Sequence, residues 1–276
     1  MKIGISVAAF ETRFGPIVYS ASNLEELNLI FRKISNYGYN GVDLFINKKS
    51  TDELKKIEFL LEKNHLEVSM LTCICLAEMG VNFSSADLET REKSLESYIG
   101  EIQKAKIVGA KAMPIGFIRG KKSDNESMKE NLDRLADSTK ILAKVAKENG
   151  INLCIEPINR YEANTLLSLE ETVSFIDKYG LEDIYILADL FHMNIEDKNI
   201  EKSLGFAGDK IKHMHVADSN RMAPGMGHID YKAVIDTLTK SGYSGYLSIE
   251  ALPFGDSDNC ANQGLKYLKK IISGIK

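Results

Sequence analysis

Short apolar runs alternate along the chain with longer segments in which apolar positions recur every three to four residues. The first run, "KIGISVAA" over 2–9, precedes "SNLEELNLIFRKISNYG", whose spacing puts one apolar stripe on a helix, with Ser22 or Asn23 placed to cap it. The pairing recurs as "GVDLFI" with "STDELKKIEFLLEKN", "LEVSMLTCI" with a helix over 88–108, and "AKAMPIG" with "DNESMKENLDRLADSTKILAKVAKENG". It continues as "INLCIE" with "SLEETVSFIDKYG", "IYILAD" with a short helix after His192, "IKHMHVA" with "YKAVIDTLTKSG", and "GYLSIE" with "ANQGLKYLKKIISGI". Several helical segments close on glycine, as in "NYGYNG" and "KYGLED", where a left-handed residue lets the chain turn into the next strand. Strand-then-helix units pair their strands in parallel. Eight of them in 276 residues predict a closed (β/α)8 TIM barrel rather than an open doubly wound sheet, and with no linker or composition break the prediction is one domain over 1–276.

A barrel places its chemistry at the carboxyl ends of its strands, because the loops there form the mouth while the interior is packed. Four consecutive predicted strands end on a polar side chain: Glu156 on the fifth, Asp189 on the sixth, His215 near the end of the seventh, and Glu250 on the eighth. By the two-residue period of a strand, Glu156 shares its side with Cys154 and Asn152, Asp189 with Leu187 and Tyr185, and His215 with His213. Three carboxylates and one imidazole aimed at one point would repel or take up protons without a cation. Oxygen-rich ligation with one nitrogen favours Mn2+, Co2+ or Mg2+, with Zn2+ also admissible.

Composition narrows the setting. The chain is 44% apolar and 27% charged, with a formal net charge of −4 and scattered basic residues. No basic track points to nucleic acid or an anionic membrane surface. No apolar stretch is long enough to span a bilayer and the amino terminus lacks a leader-like basic region, so a cytoplasmic location is expected. Cys73, Cys75, Cys154 and Cys260 contain no CxxC pair and are expected as buried thiols. The loop "FIRGKK" after the fourth strand puts Arg119, Lys121 and Lys122 at the expected mouth, where Arg119 is a candidate for binding a substrate phosphate.

The segments "EPINRYE", "ADLFHMNIED", "HMHVADSNRMAPGMGHIDY" and "LSIEALP" together resemble the D-tagatose/D-psicose 3-epimerase group of the xylose-isomerase-like sugar isomerases and epimerases. The resemblance covers the second half of the chain. It implies that Glu156, Asp189, His215 and Glu250 bind one divalent metal, that Glu156 and Glu250 form the acid/base pair, and that Glu162, His192 and Arg221 hold the substrate. The implied reaction moves a proton next to a ketone, as an epimerase or an aldose-ketose isomerase. The partner is a sugar or sugar phosphate, with a homodimer or homotetramer as the assembly to look for. A dehydratase of a cyclic keto-sugar such as an inosose needs similar parts. An apurinic endonuclease would need a histidine-rich multi-zinc site and a DNA-binding face, which five histidines and a net acidic chain do not suit. A non-catalytic sugar-binding module would have no use for both glutamates. Of the remaining polar residues, His213 reads as a core histidine, His228 as a loop-ordering residue, and Arg160 as a partner for a carboxylate at the rim.

Overall fold

The computed structural model describes residues 1–12 and 15–274. Eight strands run β1 (Lys2–Ala8), β2 (Gly41–Ile46), β3 (Glu67–Cys73), β4 (Ala112–Ile115), β5 (Asn152–Ile155), β6 (Ile184–Asp189), β7 (Ile211–His215) and β8 (Tyr246–Ile249). All neighbours pair in parallel in the order β3-β2-β1-β8-β7-β6-β5-β4, and a two-residue stretch, Tyr19–Ser20, pairs beside β1. Lys111, just before β4, donates its backbone N–H to the carbonyl of Val68 in β3 at 3.1 Å, bridging the remaining seam and nearly closing the barrel.

Each strand follows from its sequence. β2 is buried along its whole length and β1 along all but its first residue, as expected of parallel strands covered on both faces. Met70, Ala112, Cys154 and Leu187 meet inside the barrel with Tyr185 against them, so the two-residue parity is obeyed: these side chains lie on the side from which Glu156 and Asp189 rise. The outer faces of the strands pack against the apolar stripes of the helices in one continuous core that includes Ile34, Leu61, Ile102, Leu142, Ile176 and Leu238.

The helix ends are also specified locally. Asn23, rather than Ser22, caps the helix Leu24–Tyr37 by accepting the Glu26 N–H at 2.9 Å. Ser50 with Glu53 and Ser127 with Glu130 form reciprocal capping boxes, each cap contributing about 1 kcal/mol. Gly38 and Gly180 close their helices at φ of 95° and 62°.

Two expectations need correction or restriction. The short helix placed after His192 instead starts before it, over Leu190–Glu196, because Asp189 accepts the Phe191 N–H at 2.7 Å and caps it; a second helix, Ile200–Ala207, follows. Ile275, the last residue of the segment "ANQGLKYLKKIISGI", lies outside the described residues. No described helix is long and apolar enough to cross a membrane.

Candidate active site

The carboxyl ends of β5 to β8 bring Glu156, Asp189, His215 and Glu250 together. The Glu156 N–H extends the ladder by donating to Ile115 at 3.1 Å, which fixes where its side chain leaves the strand. Nδ1 of His215 stands 3.4 Å from Oε2 of Glu250, 3.5 Å from Oε1 of Glu156 and 3.8 Å from Oδ2 of Asp189. That nitrogen is buried and is hydrogen-bonded by none of the three. Candidate ligating atoms of Glu156, Asp189 and His215 lie within 4.8 Å of one another, and Glu250 reaches the same nitrogen from β8.

The electrostatics of this cluster favour positive charge. Burial opposes an imidazolium at His215, but Glu250, followed by Asp189, Asp43 and Glu156, pushes its pKa well above the ordinary histidine range. Burial likewise opposes ionisation of Asp189, yet Arg221 and the nearby imidazoles of His192 and His215 hold it well below the usual carboxylate range. Arg221 donates from Nη1 to Asp189 at 2.8 Å and from Nη2 to Glu250 at 2.7 Å, and lies over the Phe191 ring at 4.5 Å. A buried, unbonded imidazole nitrogen facing three carboxylates is a donor set that fits a divalent cation of the Mn2+, Co2+, Mg2+ or Zn2+ type.

A cavity of about 260 Å³ opens over these groups. Glu156, Glu162, His192, His215, Arg221 and Glu250 line it together with Phe45, Leu71, Ile74, Leu76, Phe117 and Ile118. This volume suits a small molecule rather than a polymer. Glu162 and His192 therefore reach the cavity, as expected from the sequence.

Arg119 does not. Its side chain is 1% exposed, and its guanidinium donates to the carbonyls of Gly116 at 3.0 Å, Glu156 at 2.8 Å, Thr165 at 2.9 Å and Leu166 at 3.4 Å. Burial lowers its pKa to about 10, which still leaves it charged at neutral pH. The turn Phe117–Arg119 folds the side chain inward, so Arg119 ties the loop after β4 to the loop after β5 instead of facing substrate. Lys122 is also engaged, its ammonium donating to the carbonyls of Ser123 and Glu126.

Three polar residues beyond the sequence reading support the site. Asn159 is buried and contacts both Glu162 and His192. Asp218, 0% exposed, accepts the N–H groups of Ser219, Gly225 and Ile229 at 2.8 to 3.1 Å and so shapes the loop that carries Arg221. Asp43, inside β2, contacts His213 and His215. Burial opposes its charge, but the two imidazoles hold its pKa well below the carboxylate range. An acidic residue in a strand buried on both faces was the available signal for Asp43. The rim behaves as expected: Arg160 pairs with Glu196 at 2.8 Å, His228 contacts Ser219 at 3.0 Å, and all four cysteines are buried and free.

Known proteins share this arrangement of elements. The chain is 38% identical over 122 residues to an L-ribulose 3-epimerase of Mesorhizobium japonicum, a match that takes in 43% of this chain and 41% of the relative. Against a D-psicose 3-epimerase of Agrobacterium fabrum it is 27% identical over 292 aligned positions, covering 99% of this chain and 92% of the relative. The solved structure of an L-ribulose 3-epimerase superposes with a TM-score of 0.85 at 22% identity, over 99% of this chain and 95% of that one, a likeness of fold. The xylose isomerase-like TIM barrel family matches residues 31–271, and the chain belongs to that family.

Proposed function

We propose that the chain is a metal-dependent ketose epimerase that inverts the carbon next to the substrate carbonyl by removing a proton from one face and returning one to the other. The observation that carries this reading is the placement of Glu156, Asp189 and Glu250 around the buried Nδ1 of His215 at 3.4 to 3.8 Å. Its similarity to 3-epimerases of ketoses supports the substrate class.

Glu156 and Glu250 rise from β5 and β8, with β6 and β7 between them, so a sugar seated across that arc meets one carboxylate on each side. One takes the carbon-bound proton while the other, protonated, delivers its own to the opposite face, and the reverse reaction exchanges their roles. Each such transfer contributes typically about 10²- to 10⁴-fold. A divalent ion held by Glu156, Asp189, His215 and Glu250 would act as a Lewis acid on the carbonyl and offset the negative charge of the enediolate, an effect worth several kcal/mol. Arg221 adds fixed positive charge beside Glu250, and Glu162 and His192 offer an acceptor and a donor to sugar hydroxyls.

Of free and phosphorylated ketoses, we propose the free sugar. Arg119 is committed to backbone carbonyls and the Lys122 ammonium to its own loop, which takes two of the three basic groups of "FIRGKK" away from a phosphate and leaves only the exposed Lys121.

The test is incubation of Mn2+-loaded protein with free ketopentoses, ketohexoses and their phosphates in D2O. The expected result is deuterium at the carbon next to the carbonyl together with the inverted epimer, faster for free sugars. No exchange with any member of the panel would falsify the epimerase reading.

A further inference from the structure

Asp43 is 1% exposed, in the middle of a strand whose six residues are all buried. Its Oδ1 accepts the hydroxyl of Ser69, and its Oδ2 lies 2.8 Å from Nε2 of His213 and 3.0 Å from Nε2 of His215. The backbone is arranged for this meeting. The pairing of β2 with β3 shifts register between Val42 and Asp43, passing from Val68 to Met70, so Ser69 is the extra residue of a bulge. A Cβ on Gly4 of the adjacent β1 would come within 2.7 Å of the Ser248 hydroxyl and 3.3 Å of that of Ser69, so glycine leaves this polar layer its space.

The chemistry of the three contacts fixes the protons. An ionised carboxylate accepts hydrogen bonds and donates none. Both imidazoles therefore present N–H from Nε2 to Asp43. A neutral His215 with its proton on Nε2 carries its lone pair on Nδ1, the atom that faces Glu156, Asp189 and Glu250.

We infer that Asp43 is a positioning residue for the metal centre: it fixes the tautomer and ring orientation of His215 so that Nδ1 is offered as the ligand, and His213 is a second donor that holds Asp43 in place. His213 is itself held against the ring of Tyr246 at 26° and edge-on to His215 at 88°. Carboxylates that bond the far nitrogen of a ligating histidine orient the ring and raise its basicity, and losing one typically costs about 10- to 100-fold in metal affinity. The ligating atoms of these three residues lie within 4.8 Å of one another, and the number of ions bound per chain separates a second ion there from a hydrogen-bonded trio. The separations of 2.8 and 3.0 Å are those of direct N–H to oxygen hydrogen bonds.

This inference rests on the reading of Glu156, Asp189, His215 and Glu250 as metal ligands, and the experiment separates the two. Metal-stripped wild type, Asp43→Asn and Asp43→Ala are titrated with Mn2+ by calorimetry, and turnover is then measured at low and at saturating Mn2+. Wild type is expected to bind one ion per chain. Asp43→Asn should bind it about 10-fold more weakly and Asp43→Ala up to about 100-fold more weakly. Turnover in both should return to within about 10-fold of wild type once Mn2+ saturates, a recovery that a purely structural lesion would not show. If the alanine variant does not fold, the asparagine variant decides. Wild-type affinity in whichever variants fold overturns the positioning role, as does the loss of a second bound ion on removing Asp43. A wild type that takes up no Mn2+ overturns the metal-site reading itself.

Discussion

The side-chain amide of Asn159 lies 2.7 Å from Nδ1 of His192, and its orientation is fixed from the other side: Oδ1 accepts the Tyr161 N–H at 3.0 Å. The Nδ2 group therefore donates both to His192 and to Oε1 of Glu162, at 2.9 Å. His192 must accept on Nδ1 and carry its proton on Nε2, which lies 3.9 Å from Asp189. One buried amide thus sets the donor of one proposed substrate-holding residue and the direction of another.

Replacing Asn159 with Leu keeps the branched shape and removes the hydrogen bonds to His192 and Glu162, together with the one accepted from the Tyr161 N–H. Each is worth about 1 kcal/mol, so kcat/KM should fall by roughly 10- to 100-fold, chiefly through a higher KM. Steady-state kinetics on the preferred ketose checks this. A variant with unchanged KM would mean that His192 and Glu162 hold their positions without Asn159.

Asp218 does for Arg221 what Asn159 does for His192. Arg221 sits at a φ of 62°, a conformation unusual for a side chain of its size, and donates its backbone N–H to the Asp218 carbonyl at 2.8 Å. Asp218→Ala leaves the N–H groups of Ser219, Gly225 and Ile229 without their acceptor. The expected cost is about 2 to 4 kcal/mol of stability with a raised KM, read from denaturant unfolding and kinetics together. An unshifted unfolding midpoint would show that the loop is held by its other contacts.

Arg119 carries a different expectation from the one its place in the chain suggested. Removing its side chain takes the guanidinium donor from the carbonyls of Glu156, Thr165 and Leu166, while Gly116 keeps the backbone N–H of residue 119, so Arg119→Ala should destabilise the fold by about 3 kcal/mol or more. Arg119→Lys should recover little of it, since a single ammonium cannot reproduce the planar fork. The ratio of rates on phosphorylated and free ketoses should stay at its wild-type value in both. A selective loss of activity on phosphorylated sugars would return Arg119 to the substrate site.

How far the sequence reaches is clear from these residues. Glu156, Asp189, His215 and Glu250 were legible because each stands at or near the end of an apolar run, where the barrel period and the strand parity give both position and direction. Asp43 was not. It lies in mid-strand, and its purpose appears only when "HMH" of β7 is known to point at it across the interior, a relation between residues 170 positions apart for His213. Arg119 was misread for a related reason: chain position puts its backbone near the mouth, but its direction depends on carbonyls of the loop after β5. The helix over Leu190–Glu196 begins ahead of its expected place because Asp189 is both a site residue and the helix cap, and the apolar pattern signals only the first role.

The two glutamates permit a sharper test than loss of activity. If Glu156 and Glu250 serve opposite faces of the substrate, each single glutamine variant keeps one competent carboxylate and loses the other. Interconversion of the epimers should fall by about a hundredfold or more in both. Deuterium from D2O should still enter the epimer whose proton faces the surviving carboxylate, without inversion. Glu156→Gln and Glu250→Gln should therefore label different epimers, at Mn2+ concentrations high enough to offset any weakened ligation. Proton NMR of the recovered sugars distinguishes the two patterns. Both variants labelling the same epimer, or either one interconverting the pair at the wild-type rate, would remove these residues from opposite faces and leave them as metal ligands alone.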